Sequence, residues 1–372
     1  MGTPVIVEAV RTPLGKRNGW LAEIHPAVLL GLTQTELLRR AHVESPVIDQ
    51  VVGGCVTQAG EQSNNMVRRA WMHAGLHNDT ASTVIDAQCS SGQQAAHLVH
   101  AMVAADMIRA GVACGVESMS RVPLGGNVPN GLGDPRPEDW AIDLPNQFEG
   151  ADRIVANRGF SRADVDAFGL WSQEKAGEAA GAGRFDRETF AVEGVTKDQG
   201  IRETSLEALA GLAPVLEGGT HTAGTSSQVT DGAAAVLIMD SELALSLGLT
   251  PRARIVASCL VGADPYYHLD GPVQATARLL HDTGMSISDL DLFEVNEAFA
   301  GVVMSWASVH DVPADKINVN GGAIALGHPV GATGARLLTT ALHEMERRDA
   351  STALIAMCAG GAQASGTILE RL

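Results

Sequence analysis

The sequence predicts a duplicated α/β architecture in which two half-chains of similar plan pack together. Apolar stretches with the patterning of strands and helices alternate along the chain. Cys89-Ser-Ser-Gly92 opens an apolar helical pattern that leads to a strand, and His328-Pro-Val-Gly331 does the same near the C-terminus. A plan that occurs twice favours a layered fold built from two related halves, with the starts of the two helices facing each other.

The first half alternates strands with helices. We predict strands at 4–10, 48–58, 83–85 and 110–116, and helices at 27–41, 64–75 and from residue 92 onward. Gly75 follows the second helix and is a plausible C-cap.

The region from about 121 to 228 differs in character from the rest. Glycine and proline recur through its first part, helical patterns follow at 151–157 and 161–182, and residues 193–219 are polar and irregular. Ser161 with Asp164 indicates a helix N-cap. We interpret this region as an insertion into the first half.

The last third repeats the style of the first. A buried strand at 230–239 and a helix at 241–247 complete the first half. The second half comprises predicted strands at 253–261, 351–357 and 364–372, and helices at 272–282, 296–310 and 329–346. The predicted units are therefore 1–120 with 229–251, the insertion 121–228, and 252–372.

Composition narrows the function. The 372 residues are 45% hydrophobic and carry a net charge of -17, which favours a globular protein and disfavours nucleic acid as a general partner. Five scattered cysteines form no CxxC pair, so neither a disulfide framework nor a metal site is predicted, and a cytoplasmic location follows. No signal peptide and no membrane span of about 20 apolar residues is found, so we expect no membrane insertion.

Cys89 stands between a short apolar run and a helical pattern, where a strand would turn into a helix. Unpaired N–H groups and the helix dipole favour an anion there, so a thiol at this place is expected to shift toward thiolate. Taken alone, this stretch favours the simpler interpretation of Cys89 as a small buried core residue.

Three further motifs change that balance: NEAFA from Asn296, GHPVGATGAR with His328, and CAGGAQASG from Cys358. A cysteine nucleophile needs a base, which His328 can supply. Cys358 could move a proton, since an ordinary thiol has a pKa of about 8.5. The glycines after Cys358, such as Gly360, would let backbone N–H groups approach an oxyanion.

These motifs, together with VIVEAVRTPLG, QCSSG, GVESMS, TAGTSSQVTDGAAA and DGPVQAT in the same order, resemble the thiolase family over nearly the whole chain. The resemblance implies two βαβαβαββ halves in a five-layer αβαβα arrangement, with a loop domain inserted in the first half. It also implies cleavage or formation of 3-ketoacyl-CoA, with coenzyme A as co-substrate and no permanently bound cofactor or metal.

The resemblance assigns roles to the motif residues. Cys89 would take the acyl group as a thioester, His328 would activate it, and Cys358 would serve as acid and base. Asn296 would hold a water in one oxyanion hole shared with His328. The backbone N–H groups of Cys89 and Gly360 would form a second hole.

Two residues match the family's coenzyme A contacts. Ser227 falls where the family's CoA-contacting loop has its serine, and Arg202 falls where a basic residue often lies near the nucleotide. For Arg202, a simple solvated arginine is an equal alternative.

Several positions depart from the family's usual pattern. Thr225 and Gln228 alter the TAGNASG-like loop, Phe148 lies in a changed loop-domain segment, and His268 replaces a methionine. Ala362 replaces the third glycine after the second cysteine. We expect the first four of these residues to shape the acyl pocket. The pattern resembles actinobacterial thiolases acting on bulky or sterol-derived acyl groups, and drift in a straight-chain enzyme is the alternative.

Three functions stay open at this point. Degradative thiolysis is favoured over biosynthetic acetyl-CoA acetyltransfer, and a catalytically silent acyl-CoA or lipid-binding relative is disfavoured by the intact motif residues. A homodimer or homotetramer is implied by the family. The short 121–145 segment argues against a typical tetramerisation loop.

Overall fold

The computed structural model describes residues 2–128 and 133–372. Residues 129–132 of the predicted insertion lie outside the described residues. Ten strands are formed by the described residues: β1 (Pro4–Arg11), β2 (Gly15–Lys16), β3 (Gln50–Gly54), β4 (Ala81–Ile85), β5 (Ala110–Ser118), β6 (Thr230–Asp240), β7 (Ala253–Gly262), β8 (Leu292–Val295), β9 (Thr352–Ala359) and β10 (Gln363–Arg371).

The same described residues form eleven α-helices. They are α1 (Pro26–Ala41), α2 (Met66–His73), α3 (Ser91–Ala104), α4 (Gln147–Arg158), α5 (Arg162–Gly181), α6 (Leu206–Ala210), α7 (Ser241–Ser246), α8 (Gly271–Thr283), α9 (Ala300–His310), α10 (Ala323–Leu326) and α11 (Thr333–Arg348).

The strands are arranged in the order β4-β3-β5-β6-β1-β7-β10-β9-β8, with β2 beside β6. β1 and β7 meet through the single pair Ile6 and Ala253, so the sheet divides there into two halves. Besides the short β2, the described first half contains five strands, which in chain order are β1, β3, β4, β5 and β6. Across the sheet they stand in the order third, second, fourth, fifth and first. The second half repeats this order, with Ile317 bridging Phe293 in the place of a third strand. The predicted duplication is confirmed.

Helices and sheet halves alternate in five layers. Helices α3 and α11 pack against each other between the two halves, α1 and α2 cover the outer face of the first half, and α8 and α9 cover that of the second. Three separate apolar cores fill the spaces between these layers, and they include Leu30 and Trp71 on the first outer face, Val99 and Leu338 in the centre, and Trp306 on the second outer face.

Two predicted helices begin later than the sequence pattern indicates. Helix α9 begins at Ala300 because the preceding segment is not helical: the N–H of Asn296 donates to the carbonyl of Ala356 on β9, and Phe299 has an extended backbone. Helix α11 begins at Thr333, and His328 follows Gly327, whose φ of +114° interrupts the preceding short helix. The sequence analysis also missed β8 and α6.

The segment between β5 and β6 contains α4, α5 and α6. Ser161 and Asp164 form the capping box that the sequence predicts at the start of α5. Although this segment interrupts the first half, α4 packs on α9, and α5 packs on both α9 and α10 of the second half. It therefore lies over loops that both halves contribute. The boundaries of the three predicted units stay a prediction.

Candidate active site

A cavity of about 160 Å³ lies where loops of the two halves and the intervening segment meet. Its wall includes both motif cysteines and the motif histidine. The described lining residues are Cys89, Met119, Leu124, Gln147, Phe148, Ser226, Ser227, Gln228, Val229, Leu269, Ala298, Phe299, His328, Val330 and Cys358. The fold thus brings together residues that are separated by up to 269 positions (358 − 89) in the chain.

Cys89 stands in a tight connection between β4 and α3. Gln88 adopts a left-handed backbone with φ of +53°, and Ser90 is the N-cap of the helix. Burial raises the pKa of the Cys89 thiol to about 11, and the N–H groups of Gly360 and of Cys89 itself oppose that rise only in part. The expected shift toward thiolate was therefore wrong: desolvation outweighs the N–H groups, and the resting group is a neutral thiol.

His328 is held by hydrogen bonds on both ring nitrogens. The hydroxyl of Thr333 donates its hydrogen to the carbonyl of Pro329 at 2.9 Å. Its oxygen, 2.7 Å from Nδ1 of His328, therefore accepts a hydrogen bond from the Nδ1–H group. This leaves Nε2 without a proton. Burial, together with the smaller effect of the nearby Arg336, lowers the pKa of His328 to about 3. The imidazole is therefore neutral and presents a basic nitrogen.

Asn296 lies beside the histidine. Its Nδ2 is 3.4 Å from Nε2 of His328, while its buried Oδ1 has no hydrogen-bond partner in the described structure. A buried amide oxygen without a partner is costly, and a water or a substrate donor would satisfy it. Asn296 therefore has the geometry of a residue that could hold a polar group next to the imidazole.

Cys358 is the second-last residue of β9, and it is fully buried. Burial raises the pKa of its thiol, and the nearby Cys89 and Asp270 add to that rise. The ordinary thiol pKa assumed from the sequence is therefore wrong for this residue. In the turn after it, Gly361 has φ of +78° and Ala362 has φ of +54°, and the backbone N–H of Gly360 is directed at the Cys89 sulfur.

Three of the predicted binding residues lie on the cavity wall: Ser227, Gln228 and Phe148. The Nε2 group of Gln228 donates to the carbonyls of Gly200, Ile324 and Ala325, so this side chain braces the wall. The Phe148 ring packs edge-on against Phe299 at 4.9 Å between centroids.

His268 and Thr225 do not line the cavity, which corrects their expected place in the acyl pocket. His268 accepts from the N–H of Gly361 at Nε2 (3.0 Å), and its Nδ1 donates to the carbonyl of Pro145 (2.8 Å). Both nitrogens are thus engaged behind the wall. Thr225 is turned inward and accepts from the N–H of Thr222.

Arg202 lies away from this cavity. It is exposed on a different groove, whose other charged side chains are the carboxylates of Glu174, Glu178 and Glu203. A groove with three carboxylates does not favour the phosphates of coenzyme A. This placement supports the solvated alternative for Arg202.

The sequence analysis missed most of the apolar wall. Met119, Leu124, Leu269, Phe299 and Val330 come from four separate segments, and their apolar character does not distinguish them from core residues. Among the lining residues that the structure describes, none is Lys, Arg, Asp or Glu. The space beside the two thiols therefore suits an uncharged group.

Comparison with known families identifies the arrangement. Residues 4–242 match the model of the N-terminal domain of thiolase, and residues 249–371 match that of its C-terminal domain. The chain belongs to the thiolase family. It is thus an acyltransferase, and its fold is that of a thiolase.

Individual thiolases cover the whole chain. A steroid 3-ketoacyl-CoA thiolase, FadA6, of Mycobacterium tuberculosis is 40% identical over 99% of this chain and 94% of its own length. A 3-oxoadipyl-CoA/3-oxo-5,6-dehydrosuberyl-CoA thiolase of Escherichia coli is 39% identical over 99% of both chains. The crystal structure of the Bacillus anthracis acetyl-CoA acetyltransferase superposes with a TM-score of 0.90 at 32% identity, covering 100% of this chain and 99% of that one.

Two kinds of site are absent from the described residues. Within residues 2–128 and 133–372, no group of three His, Cys, Asp or Glu side chains could hold a metal ion. In the same described part of the chain, no helix combines the length and apolar character that crossing a membrane requires.

Proposed function

We propose that this thiolase cleaves 3-ketoacyl-CoA with coenzyme A, through an acyl-enzyme on Cys89. The observation that carries the proposal is the convergence of Cys89, His328 and Cys358 on one cavity whose described wall bears no ionised carboxylate, lysine or arginine. Two thiols and a neutral imidazole are the groups that a thiol-dependent Claisen cleavage needs.

Acylation starts from neutral partners. Nε2 of His328 takes the proton of Cys89 as its sulfur attacks the 3-keto carbonyl carbon. The tetrahedral oxyanion forms where the N–H groups of Cys89 and Gly360 now face the sulfur, so these donors would stabilise it. Because neither thiolate nor imidazolium exists beforehand, the charges develop only as the new bond forms.

Cleavage of the bond between C2 and C3 leaves an acyl thioester on Cys89 and passes the electron pair to C2, giving the enolate of acetyl-CoA. The high pKa of Cys358 keeps its proton available for that carbon. The enolate oxygen would be stabilised by a water on Oδ1 of Asn296 together with His328. Cys358, now a thiolate, then removes the proton of incoming coenzyme A, whose sulfur attacks the acyl group. The Cys89 sulfur leaves and takes back the proton held by His328.

The acyl group that we propose for this site is uncharged and apolar, of the bulky or sterol-derived class. Support comes from the described wall, where Phe148 and Phe299 lie beside Leu124, Leu269 and Val330. The 40% identity to a relative named for a steroid substrate agrees with it. A terminal carboxylate, such as that in the Escherichia coli relative's 3-oxoadipyl group, would meet no described cation on this wall.

A matched pair of substrates tests both reaction and class. 3-Oxohexanoyl-CoA and 3-oxoadipyl-CoA have acyl chains of equal length and differ at the far end, a methyl group against a carboxylate. We expect thiolysis of the first, with kcat/KM at least about tenfold above that of the second, and a further gain for a ring-bearing 3-ketoacyl-CoA. Absence of thiolysis with all three would refute the reaction, whereas a preference for 3-oxoadipyl-CoA or acetoacetyl-CoA would refute the substrate class.

Biosynthetic condensation is the weaker candidate for this site. The relatives named as 3-ketoacyl thiolases are 36–40% identical to the chain, against 32% for the acetyl-CoA acetyltransferase structure. Comparison of initial rates in the two directions would decide between them.

We also propose a homo-oligomer, since β4 ends the sheet and offers an unpaired edge next to the Cys89 loop. Sedimentation velocity would distinguish a dimer from a tetramer. A cytoplasmic location is proposed because the reaction requires Cys89 and Cys358 as free thiols.

A further inference from the structure

Glu117 is a buried carboxylate that the proposed reaction does not use. It lies near the end of β5, in the GVESMS motif, and it is fully buried. No cation is hydrogen-bonded to it in the described structure. Its four close donors are three backbone N–H groups and one side-chain amide, and the Cys55 thiol lies 4.0 Å from Oε1, so every polar contact of the carboxylate is with an uncharged donor.

The four donors come from both halves of the molecule. Oε1 accepts from the N–H of Thr57 (3.0 Å) and from Nε2 of Gln62 (2.7 Å). Oε2 accepts from the N–H of Val56 (2.9 Å) and from the N–H of Gly331 (3.0 Å). The first three belong to the Cys89 half, whereas Gly331 belongs to the loop that carries His328. The carboxylate is thus a direct link between the two halves.

The carbonyl of Gly331 is enclosed as closely as its N–H. A Cβ atom placed on Gly115, Gly54 or Gly92 would lie 2.1, 2.7 or 2.8 Å from that oxygen, closer than real Cβ atoms approach. These three glycines belong to β5, β3 and α3 of the Cys89 half. We call them the glycine socket. The N–H and the carbonyl of Gly331 are therefore both held by residues of the Cys89 half.

We propose that Glu117 is a positioning residue for the thiolase reaction: with the glycine socket, it locks the His328 loop to the half that carries Cys89. The proposal rests on the role of His328 as the base for Cys89. Gly331 is three residues from His328, and Val330 between them lines the cavity. A shift of this loop would move the imidazole relative to a sulfur that belongs to another half of the fold.

The need for such a lock follows from the chemistry. Proton transfer from Cys89 to Nε2 requires hydrogen-bond reach, and a misplacement of about 1 Å can cost about 100-fold in rate. The covalent chain gives little help, because 238 residues lie between Cys89 and His328. Contacts across the interface between the halves, polar and apolar, therefore set this distance.

The first test substitutes the carboxylate. Glu117→Gln keeps the shape but turns amide hydrogens toward one pair of donors, and Glu117→Met removes every acceptor. We expect kcat to fall about 10- to 100-fold, more in Glu117→Met, while KM for the acyl-CoA stays within about twofold. Asp231→Asn is the matched control. Asp231 is also a buried carboxylate and lies opposite Ser118 in the sheet, but its carboxylate accepts hydrogen bonds from Ser120 and not from the His328 loop. It should lose thermal stability and keep kcat.

The second test leaves the carboxylate in place and disturbs the socket. Gly115→Ala places a methyl group against the carbonyl of Gly331 and should lower kcat in the same way. Gly177→Ala, at a helical glycine with nothing within 4 Å of the added atom, is its control.

The outcomes distinguish failure of the proposed thiolysis from failure of the positioning role of Glu117. Wild-type thiolysis that is lost in His328→Ala must be established first, and without it the proposed function itself fails. If that holds and a folded Glu117→Gln retains wild-type kcat, the positioning role is overturned. The same conclusion follows if Glu117→Gln loses kcat only in proportion to the folded fraction, as measured by near-UV circular dichroism.

Discussion

The loops that carry Cys89 and His328 occupy equivalent places in the two halves, yet they are built differently. Cys89 stands two residues before α3, on a three-residue turn out of β4. His328 stands five residues before α11, after the additional short helix α10. The duplicated plan places both residues at the interface between the halves, and the difference in loop length decides what surrounds each of them.

That difference matches what each group has to do. Close to its helix, Cys89 has its own N–H and that of Gly360 at the sulfur, the place where an oxyanion would develop. His328 is further from its helix, and within the described structure the polar partners of its ring are Thr333 and Asn296. Burial keeps it neutral, as a base must be. One scaffold thus supplies two buried positions, one with two N–H donors at the reacting atom and one without them.

The largest expected effect comes from removing the sulfur of Cys89. Cys89→Ala should abolish the acyl-enzyme and lower kcat by at least about 10⁴-fold, because no other group reaches the acyl carbon with the same donors. Intact-mass spectrometry after mixing with 3-ketoacyl-CoA checks this, and isothermal titration with coenzyme A should show retained binding. An acyl adduct of normal stoichiometry in Cys89→Ala would break the comparison, since the nucleophile would lie elsewhere.

A smaller and more selective effect is expected at the second thiol. Cys358→Ala removes the proton donor for the enolate but leaves Cys89 and His328 in place. Acylation by a simple acyl-CoA should remain measurable, while overall thiolysis falls about 10²- to 10⁴-fold. Stopped-flow measurement of the two steps separates them. Equal loss in both steps would contradict the division of roles, and Cys259→Ala, at a cysteine outside the cavity, is the control.

How far the sequence alone leads can be judged from these same loops. The repeated strand–loop–helix plan around Cys89 and His328 was enough to predict the duplication, because apolar periodicity reports the layers directly. The motif residues were placed together by resemblance, and the structure does bring them to one cavity. What the sequence misjudged was the thiol of Cys89, because a helix N-terminus is visible in the sequence whereas burial by distant segments is not.

The conformations of loops and the places of single side chains were predicted least well, because they too depend on partners that are distant in the sequence. Asn296 was expected in a helix, but pairing with β9 draws its backbone into an extended form. His268 was expected on the pocket wall, but two backbone groups from separate segments engage its ring. In both cases the deciding partner is more than 50 residues away, and local pattern carries no information about it.

The third prediction sharpens the electrostatic contrast between the two loops. With the pKa of Cys89 raised to about 11 and that of His328 lowered to about 3, the resting pair is thiol and imidazole rather than thiolate and imidazolium. The reactive thiolate fraction should then rise about tenfold for each pH unit from 7 to 10. The rate of iodoacetamide alkylation at Cys89, followed by peptide mass spectrometry, should rise with that slope.

The pH profile also has a matched control in the opposite loop. If His328 carries no charge in this range, His328→Asn should leave the slope of the alkylation profile unchanged even though it lowers turnover. A rate that is already constant above pH 6, and that becomes pH-dependent in His328→Asn, would reveal a preformed ion pair. The two loops would then share one charge-separated state in the free enzyme, and the neutral resting pair proposed for acylation would have to be abandoned.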